Sequence, residues 1–256
     1  MRVPLSQIAI PSIYMKNGIR LPLPARMAQC TPDTLSAIQG ISVDVAKAGG
    51  VLYLSDLFRS YDMQLQSHLD YVTGKKKAFS PPPGGSLHEA GRAFDLDLGN
   101  LKMPLERFWP IANRHGVFPI IKRPDPKASE AWHFDCRGSH NLVYEYYSAG
   151  KASNMKPYEA MAASAILAIG VKVDRFGARQ REAAIQTCII RLGPVIGNID
   201  GAIGARTEAA LATLGVPFRD AEETLRMLEN KLQMAFPAEY RSVASDDDVK
   251  TPDHLR

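Results

Sequence analysis

Two short stretches of alternating sequence constrain this 256-residue chain more than any other feature in it. Residues 93 to 98 read Ala-Phe-Asp-Leu-Asp-Leu, and residues 131 to 135 read Ala-Trp-His-Phe-Asp. Successive side chains of a strand point to opposite faces, so this alternation predicts two half-buried strands. Phe94, Leu96 and Leu98 would then turn to a core with Trp132 and Phe134, while Asp95, Asp97, His133 and Asp135 share the other side. Just upstream, Pro81-Pro-Pro-Gly-Gly85 can continue neither a helix nor a central strand and reads as a loop. That loop delivers His88, and Gly91 lets it turn tightly onto the first strand.

If the two strands are neighbours, Asp95 and His133 meet, with His88 arriving beside them. Two imidazoles and a carboxylate are the usual protein ligands of a zinc ion that keeps one position open, so His88, Asp95 and His133 are the expected ligands of one Zn2+. Glu130, three residues before the last ligand, is free to act as a base. Any one of these residues alone would read as a solvated surface group; their strand periodicity aims them at one place. Asp97 and Asp135 could accept from ligand imidazole N–H groups, bind a substrate amine, or simply be solvated. Cys136 falls on the core side of the pattern and reads as buried and inert.

The motifs Ser-x-His-x-x-Gly-x-Ala-x-Asp at 86 to 95 and Glu-x-Trp-His at 130 to 133 resemble those of the D-alanyl-D-alanine carboxypeptidase and dipeptidase family of zinc peptidases. That family is grouped with the lysostaphin-type peptidases and the hedgehog domain. The resemblance spans roughly residues 50 to 135, and Phe58-Arg-Ser-Tyr61 with Gln64 is similar to a Tyr-Arg-Ser-x-x-x-Gln element that precedes the metal motif. It implies that His88, Asp95 and His133 bind zinc, that Glu130 is the general base, and that Arg59 faces the substrate carbonyl or carboxylate. Ser86, Tyr61 and Gln64, with Asp97 and Asp135, are the candidates for holding substrate.

Composition sets outer bounds. With 45% hydrophobic and 23% charged residues the chain is ordinary globular protein, and its net charge of +4 is mildly basic. The densest basic run is Lys75-Lys-Lys77, beside the presumed active-site loop, which suits an anionic polymer. No stacking motif or recognised module points to nucleic acid. Three widely spaced cysteines, Cys30, Cys136 and Cys188, argue against a disulfide framework. The N-terminal sequence lacks the apolar core of a secretory signal, and no apolar run is long enough to cross a bilayer, so synthesis as a cytoplasmic product is expected.

The local signals predict an α+β domain over residues 1 to 150, a small and mainly antiparallel sheet with flanking helices. Pro4, Pro11, Pro22 and Pro24 suggest an extended entry arm, followed by a helix at 32 to 48, a strand at 51 to 54, helices at 61 to 74 and 104 to 115, and a strand at 117 to 121. After 151, Ala, Ile and Leu dominate at helical spacing. A helix at 181 to 192, a loop from Gly197, and a helix capped by Thr207 running to Leu214 resemble the three-helix peptidoglycan-binding domain, whose Asp-Gly-x-x-Gly-x-x-Thr core is matched at 200 to 207. That gives an all-α unit at 151 to 217, then 218 to 256 as a helix at 220 to 234 and a polar tail from Ser242 expected to be disordered. An internal repeat between 166 to 179 and 189 to 206 is weak.

Together the resemblances imply a zinc peptidase of bacterial peptidoglycan stem peptides, cutting either D-Ala-D-Ala as a carboxypeptidase or L-Ala-D-Glu as an endopeptidase. A phage endolysin or a delivered lytic effector, reaching the wall after lysis or dedicated export, accommodates the missing signal. Two alternatives stand beside it. A non-catalytic zinc-stabilised wall-binding protein has no need of Glu130, and a cytosolic D,D-dipeptidase would act on free dipeptide and not on sacculi.

Overall fold

A computed structural model describes residues 2–241 of the chain. Eight helices surround a six-stranded sheet and a separate two-stranded ribbon. The strands are β1 (Ser6–Gln7), β2 (Pro11–Lys16), β3 (Ile19–Pro22), β4 (Gln29–Cys30), β5 (Leu54–Asp56), β6 (Ala93–Leu96), β7 (Val117–Pro119) and β8 (His133–Cys136). The large sheet runs in the order β3-β2-β5-β6-β8-β7. Every neighbouring pair is antiparallel except β2 with β5, so the sheet is mixed, and the architecture is α+β.

The N-terminal segment is not an extended arm. Asn17 and Gly18 both take positive φ, 52° and 77°, the combination a two-residue hairpin turn needs, and β2 folds back on β3. Pro11 and Pro22 face each other at the open end of this hairpin, and β3 forms the sheet edge, where a missing N–H is tolerated. The strand expected at 51 to 54 starts only at Leu54. The strand expected at 93 to 98 ends at Leu96, because the Asp97 carboxylate accepts from the backbone N–H groups of Gly99 and Asn100 and opens a 3-10 turn.

Helices α1 (Pro32–Lys47), α2 (Tyr61–Val72) and α3 (Leu105–Arg114) lie in the sequence half that carries the sheet. Proline starts α1, and the Ser60 hydroxyl caps α2 by accepting from Met63 N–H. The core here joins Ile38, Ile41 and Val45 of α1, Phe108 of α3, and Leu54, Phe94 and Phe134 of the sheet. Phe134 stacks on Phe94 at 6.0 Å between centroids and takes the edge of Phe108 at 5.0 Å.

The second half is helical: α4 (Asn141–Ser148), α5 (Pro157–Ala168), α6 (Gln180–Arg191), α7 (Ala205–Thr213) and α8 (Ala221–Ala235). They share one apolar core that draws on residues either side of 150, such as Val143 and Ile166, and either side of 217, such as Leu211 and Leu228. The boundaries expected at 150 and 217 therefore do not coincide with breaks in packing. Leu87, Ala90 and Ala93 enter the same core, so the helical layer rests directly on the segment that carries His88. Helix α5 is buried from Ala160 to Leu167, and its small side chains permit close approach on every side. Thr207 does not cap α7: the helix starts at Ala205 with Gly204 before it, and Thr207 is buried in the first turn. The polar tail from Ser242 lies outside the described residues. Among the described residues no helix is long and apolar enough to cross a membrane.

A buried charge network fastens the halves together. Arg92, fully buried, donates to Cys136 O at 3.0 Å, to Thr31 Oγ1 at 3.1 Å and to both Asp33 carboxylate oxygens, one of them at 2.9 Å. Arg191 of α6 donates to Ser139 Oγ at 2.7 Å and to Glu239 Oε2 at 2.6 Å, and Glu239 also accepts from Ser139 N–H. Removing one member of a buried pair leaves an uncompensated charge at a cost of about 3–5 kcal/mol. Arg191→Met should lower unfolding free energy by about that amount in urea titration. The double variant Arg191→Met with Glu239→Gln should recover part of the loss.

Candidate metal centre

His88 sits in a 3-10 turn, Leu87–Ala90, fixed by a capping box. The Ser86 hydroxyl accepts from His88 N–H, and the Glu89 carboxylate accepts from Ser86 and Gly84 N–H groups. Burial pushes the Glu89 carboxyl up to about 7, partly offset by those backbone donors. Gly91 closes the turn at φ 62°, and a Cβ there would lie 2.8 Å from Cys30 Cα, so only glycine fits. The chain then enters β6, whose Asp95 is directly opposite His133 of β8.

Three ligand atoms converge. His133 Nδ1 lies 2.9 Å from Asp95 Oδ1 and 3.2 Å from His88 Nε2, and His88 Nε2 lies 3.3 Å from Asp95 Oδ1. A tetrahedral zinc ion with bonds of about 2.0–2.1 Å has ligand-to-ligand edges of about 3.3–3.4 Å. The trio is thus close to three corners of such a site and needs to open by only a few tenths of an ångström. The outer hydrogen bonds set the tautomers to match. His88 Nδ1 is 2.7 Å from Leu57 O, and His133 Nε2 is 2.9 Å from Asp135 Oδ1, so that when the rings are neutral the two converging nitrogens carry the lone pairs. Asp135 is therefore the partner of a candidate ligand histidine.

Burial disfavours the charged His133 ring, but the hydrogen bonds it donates to the Asp135 and Asp95 carboxylates outweigh it and raise its pKa to about 10. Burial likewise opposes the Asp95 carboxylate, yet the two imidazoles hold its pKa well below the usual range. A metal ion entering the free site must displace the His133 proton, so affinity should rise with pH throughout the range below about 10. Competitive chelator titration should show apparent zinc affinity increasing about tenfold per unit between pH 6 and 8.

Glu130 has φ 66°, a left-handed backbone that costs a non-glycine residue about 1–3 kcal/mol. Its Oε1 is buried and meets no hydrogen-bond partner among the described residues. Burial raises its pKa, with Asp95 adding to the rise and the His133, Lys76 and Arg59 charges opposing it, which suits a group that both takes and returns a proton.

Arg59 lines the same cavity but is largely engaged within the protein. Nε donates to Asp56 at 2.6 Å, and the terminal nitrogens lie 3.3 Å from Gln64 Oε1 and 3.4 Å from Asp95 Oδ2. That uses three of its five N–H donors and leaves two for a ligand. Gln64 is fully buried, orienting Arg59 and donating to Ser80 Oγ and Pro81 O; it does not line the cavity. Tyr61 points to the helical layer, where its hydroxyl donates to Asp174 Oδ2 at 2.7 Å. Asp97 is occupied in capping its 3-10 turn and in accepting from Asn100 Nδ2, also outside the cavity. Ser86 and Asp135 do line it. Cys136 is buried, and burial pushes its thiol up to about 12.

The cavity over these residues measures about 580 Å³. Several of its walls were not predicted. Trp132, expected in the core, is half-buried and lines the cavity, because β8 begins only at His133 and the alternation does not reach back to it. Tyr158, Met161 and Ala162 of α5 form another wall, and Lys76 and Arg137 are also exposed to the space. The capping-box spelling Ser86-x-x-Glu89 was a readable signal for the buried Glu89. Nothing local marks Tyr158, which is brought in by tertiary packing alone.

No protein-family model and no curated protein sequence matches the chain. Among solved structures, it is similar to the LdcB LD-carboxypeptidase, whose structure is described as revealing the basis of peptidoglycan recognition. That likeness has 20% identity and a TM-score of 0.37, covering 51% of this chain and 66% of that one. It is also similar to the L,D-carboxypeptidase DacB from Streptococcus pneumonia, with 18% identity, a TM-score of 0.34, and coverage of 51% of this chain and 85% of that one. Likeness this loose carries no argument about activity.

Replacing the outer partner of His133 tests the assignment of the inner one. Asp135→Asn should weaken zinc binding about 10–100-fold by calorimetry while leaving the fold intact by circular dichroism.

Proposed function

We propose that the protein is a zinc-dependent peptidase that hydrolyses peptide bonds in peptidoglycan stem peptides. The observation that carries this reading is Glu130. A carboxylate held in a strained left-handed backbone, with a buried and unpartnered oxygen beside three converging ligand atoms, has no evident purpose in a purely structural metal site. The motif resemblance at 86 to 95 and 130 to 133 supplies the substrate class.

His88, Asp95 and His133 would hold the ion, which when bound supplies Lewis acidity toward a water and a scissile carbonyl. Glu130 takes the proton of the attacking water as the C–O bond forms. It then delivers that proton to the amine nitrogen as the C–N bond breaks, so a carboxylic acid and a free amine leave. Asp135 and Leu57 O keep the two imidazoles aligned through the cycle. The two spare Arg59 N–H groups are available to the carbonyl oxygen as negative charge develops there. Tyr158 and Met161 from α5 narrow the cleft, and in this reading the helical half contributes to the substrate-binding surface. Whether that half also grips the wall polymer is part of the same proposal.

Mass spectrometry of products from purified sacculi and defined stem peptides tests this directly. The zinc-loaded protein should release either a terminal D-Ala or fragments cut between L-Ala and D-Glu. Glu130→Gln should lower turnover by about 10²-fold or more while still binding zinc. Absence of any Glu130-dependent product from both substrates would sink the peptidase reading and favour a zinc-stabilised binding protein.

A further inference from the structure

The cavity wall carries three cations, Arg59, Lys76 and Arg137, and they are not equally occupied. Arg59 is bound to Asp56 and Asp95. Arg137 lies 3.6 Å from Asp135 and over the Tyr144 ring, 4.9 Å from its centroid. Lys76 has neither arrangement. Its Nζ donates to Ser67 Oγ at 2.9 Å, and no carboxylate among the described residues stands within ion-pair distance of it. An ammonium has three donors, so two remain for whatever enters the cavity.

The group is also held in place. Lys76 N–H donates to Asp70 O at 2.9 Å, which ties the residue to the end of α2, and the side chain is half-buried. Burial, and after it the nearby Arg59 charge, keeps the Lys76 ammonium below its ordinary range, so an arriving anion would relieve it. The flanking Lys75 and Lys77 are exposed and do not line the cavity, which singles out the middle residue of the basic run.

We propose that Lys76 reads a carboxylate of the bound peptide, so that the cleft discriminates acidic stem peptides from their amidated counterparts. This rests on the peptidase reading above. A stem peptide offers two such groups, the C-terminal carboxylate and the α-carboxylate of a γ-linked glutamate, with the same chemistry toward an ammonium. Tyr158 and Met161 line the cavity without charge, and Lys156, over the Tyr158 ring, does not line it, so the position of Lys76 orients the acid as well as attracting it.

Calorimetric binding to the zinc-loaded full chain carrying Glu130→Gln separates the possibilities without turnover. The probes are the pentapeptide L-Ala-γ-D-Glu-L-Lys-D-Ala-D-Ala, its C-terminal amide, and the form with a carboxamide at the glutamate α-position. One amide should bind about 10–100-fold more weakly than the acid, and which one it is assigns the carboxylate that is read. Lys76→Met and Lys76→Gln should each abolish that difference, whereas Lys76→Arg and Lys77→Met should keep it. An acid preference that is absent from the start, or that survives both neutral substitutions, overturns the proposal while leaving the peptidase reading intact. Failure of all three probes to bind overturns both.

Discussion

Arg92 lies in sequence between His88 and Asp95, two of the three residues that could hold a metal ion, and has no access to water, so the whole neighbourhood must be built to satisfy it. It does so by drawing on three places at once: the Thr31–Asp33 segment at the start of α1, the Cys136 carbonyl at the end of β8, and, at 3.9 Å, Glu239 from the far end of the described chain. Glu239 in turn neutralises Arg191 of α6 and accepts from Ser139. The guanidinium that positions β6 is therefore connected, through one carboxylate, to the helical half. A buried ion network is weak evidence for added stability but strong evidence that its members must be present together.

The same logic recurs at smaller scale around the ligands. His88 is aimed by Leu57 O, His133 by Asp135, and Asp95 accepts from Arg59, which Gln64 orients. The converging atoms pair electrostatically, the His133 imidazolium compensating the Asp95 carboxylate. Glu130 stands apart from this bracing. It is strained and unpartnered, the pattern expected where local stability has been exchanged for chemistry.

The convergence of His88, Asp95 and His133 was legible because period-two alternation is a local property. Asp95 and His133 are register partners, as their two strands required, and Asp135 has the outer role that was one of its open readings. Where the alternation stops, the reading stops with it: Asp97 falls just past β6 and caps a turn, and Trp132 falls just before β8 and lines the cavity. Asn17-Gly18 was a readable hairpin signal masked by the prolines on either side of it. Tyr61 and Gln64 belong to a motif, yet the motif could not say that one faces Asp174 and the other orients Arg59. Tyr158 and Met161 come from sequence 60 or more residues away from Asp95 with no local pattern to connect them, and only packing brings α5 over the 3-10 turn of His88.

The position of Glu239 has a consequence for how the protein comes into being. Synthesis proceeds from the N-terminus, so a nascent chain displays His88, Asp95 and His133 long before it displays Glu239. Until that residue emerges, Arg191 and Ser139 have no carboxylate to close upon, and α6 cannot settle into its final seat without burying a bare charge. The α5 wall of the cleft packs on α4, on the 3-10 turn of His88 and on α6. Vectorial folding thus leaves the final seating of α6, one of the supports behind that wall, until nearly the last described residue has been made.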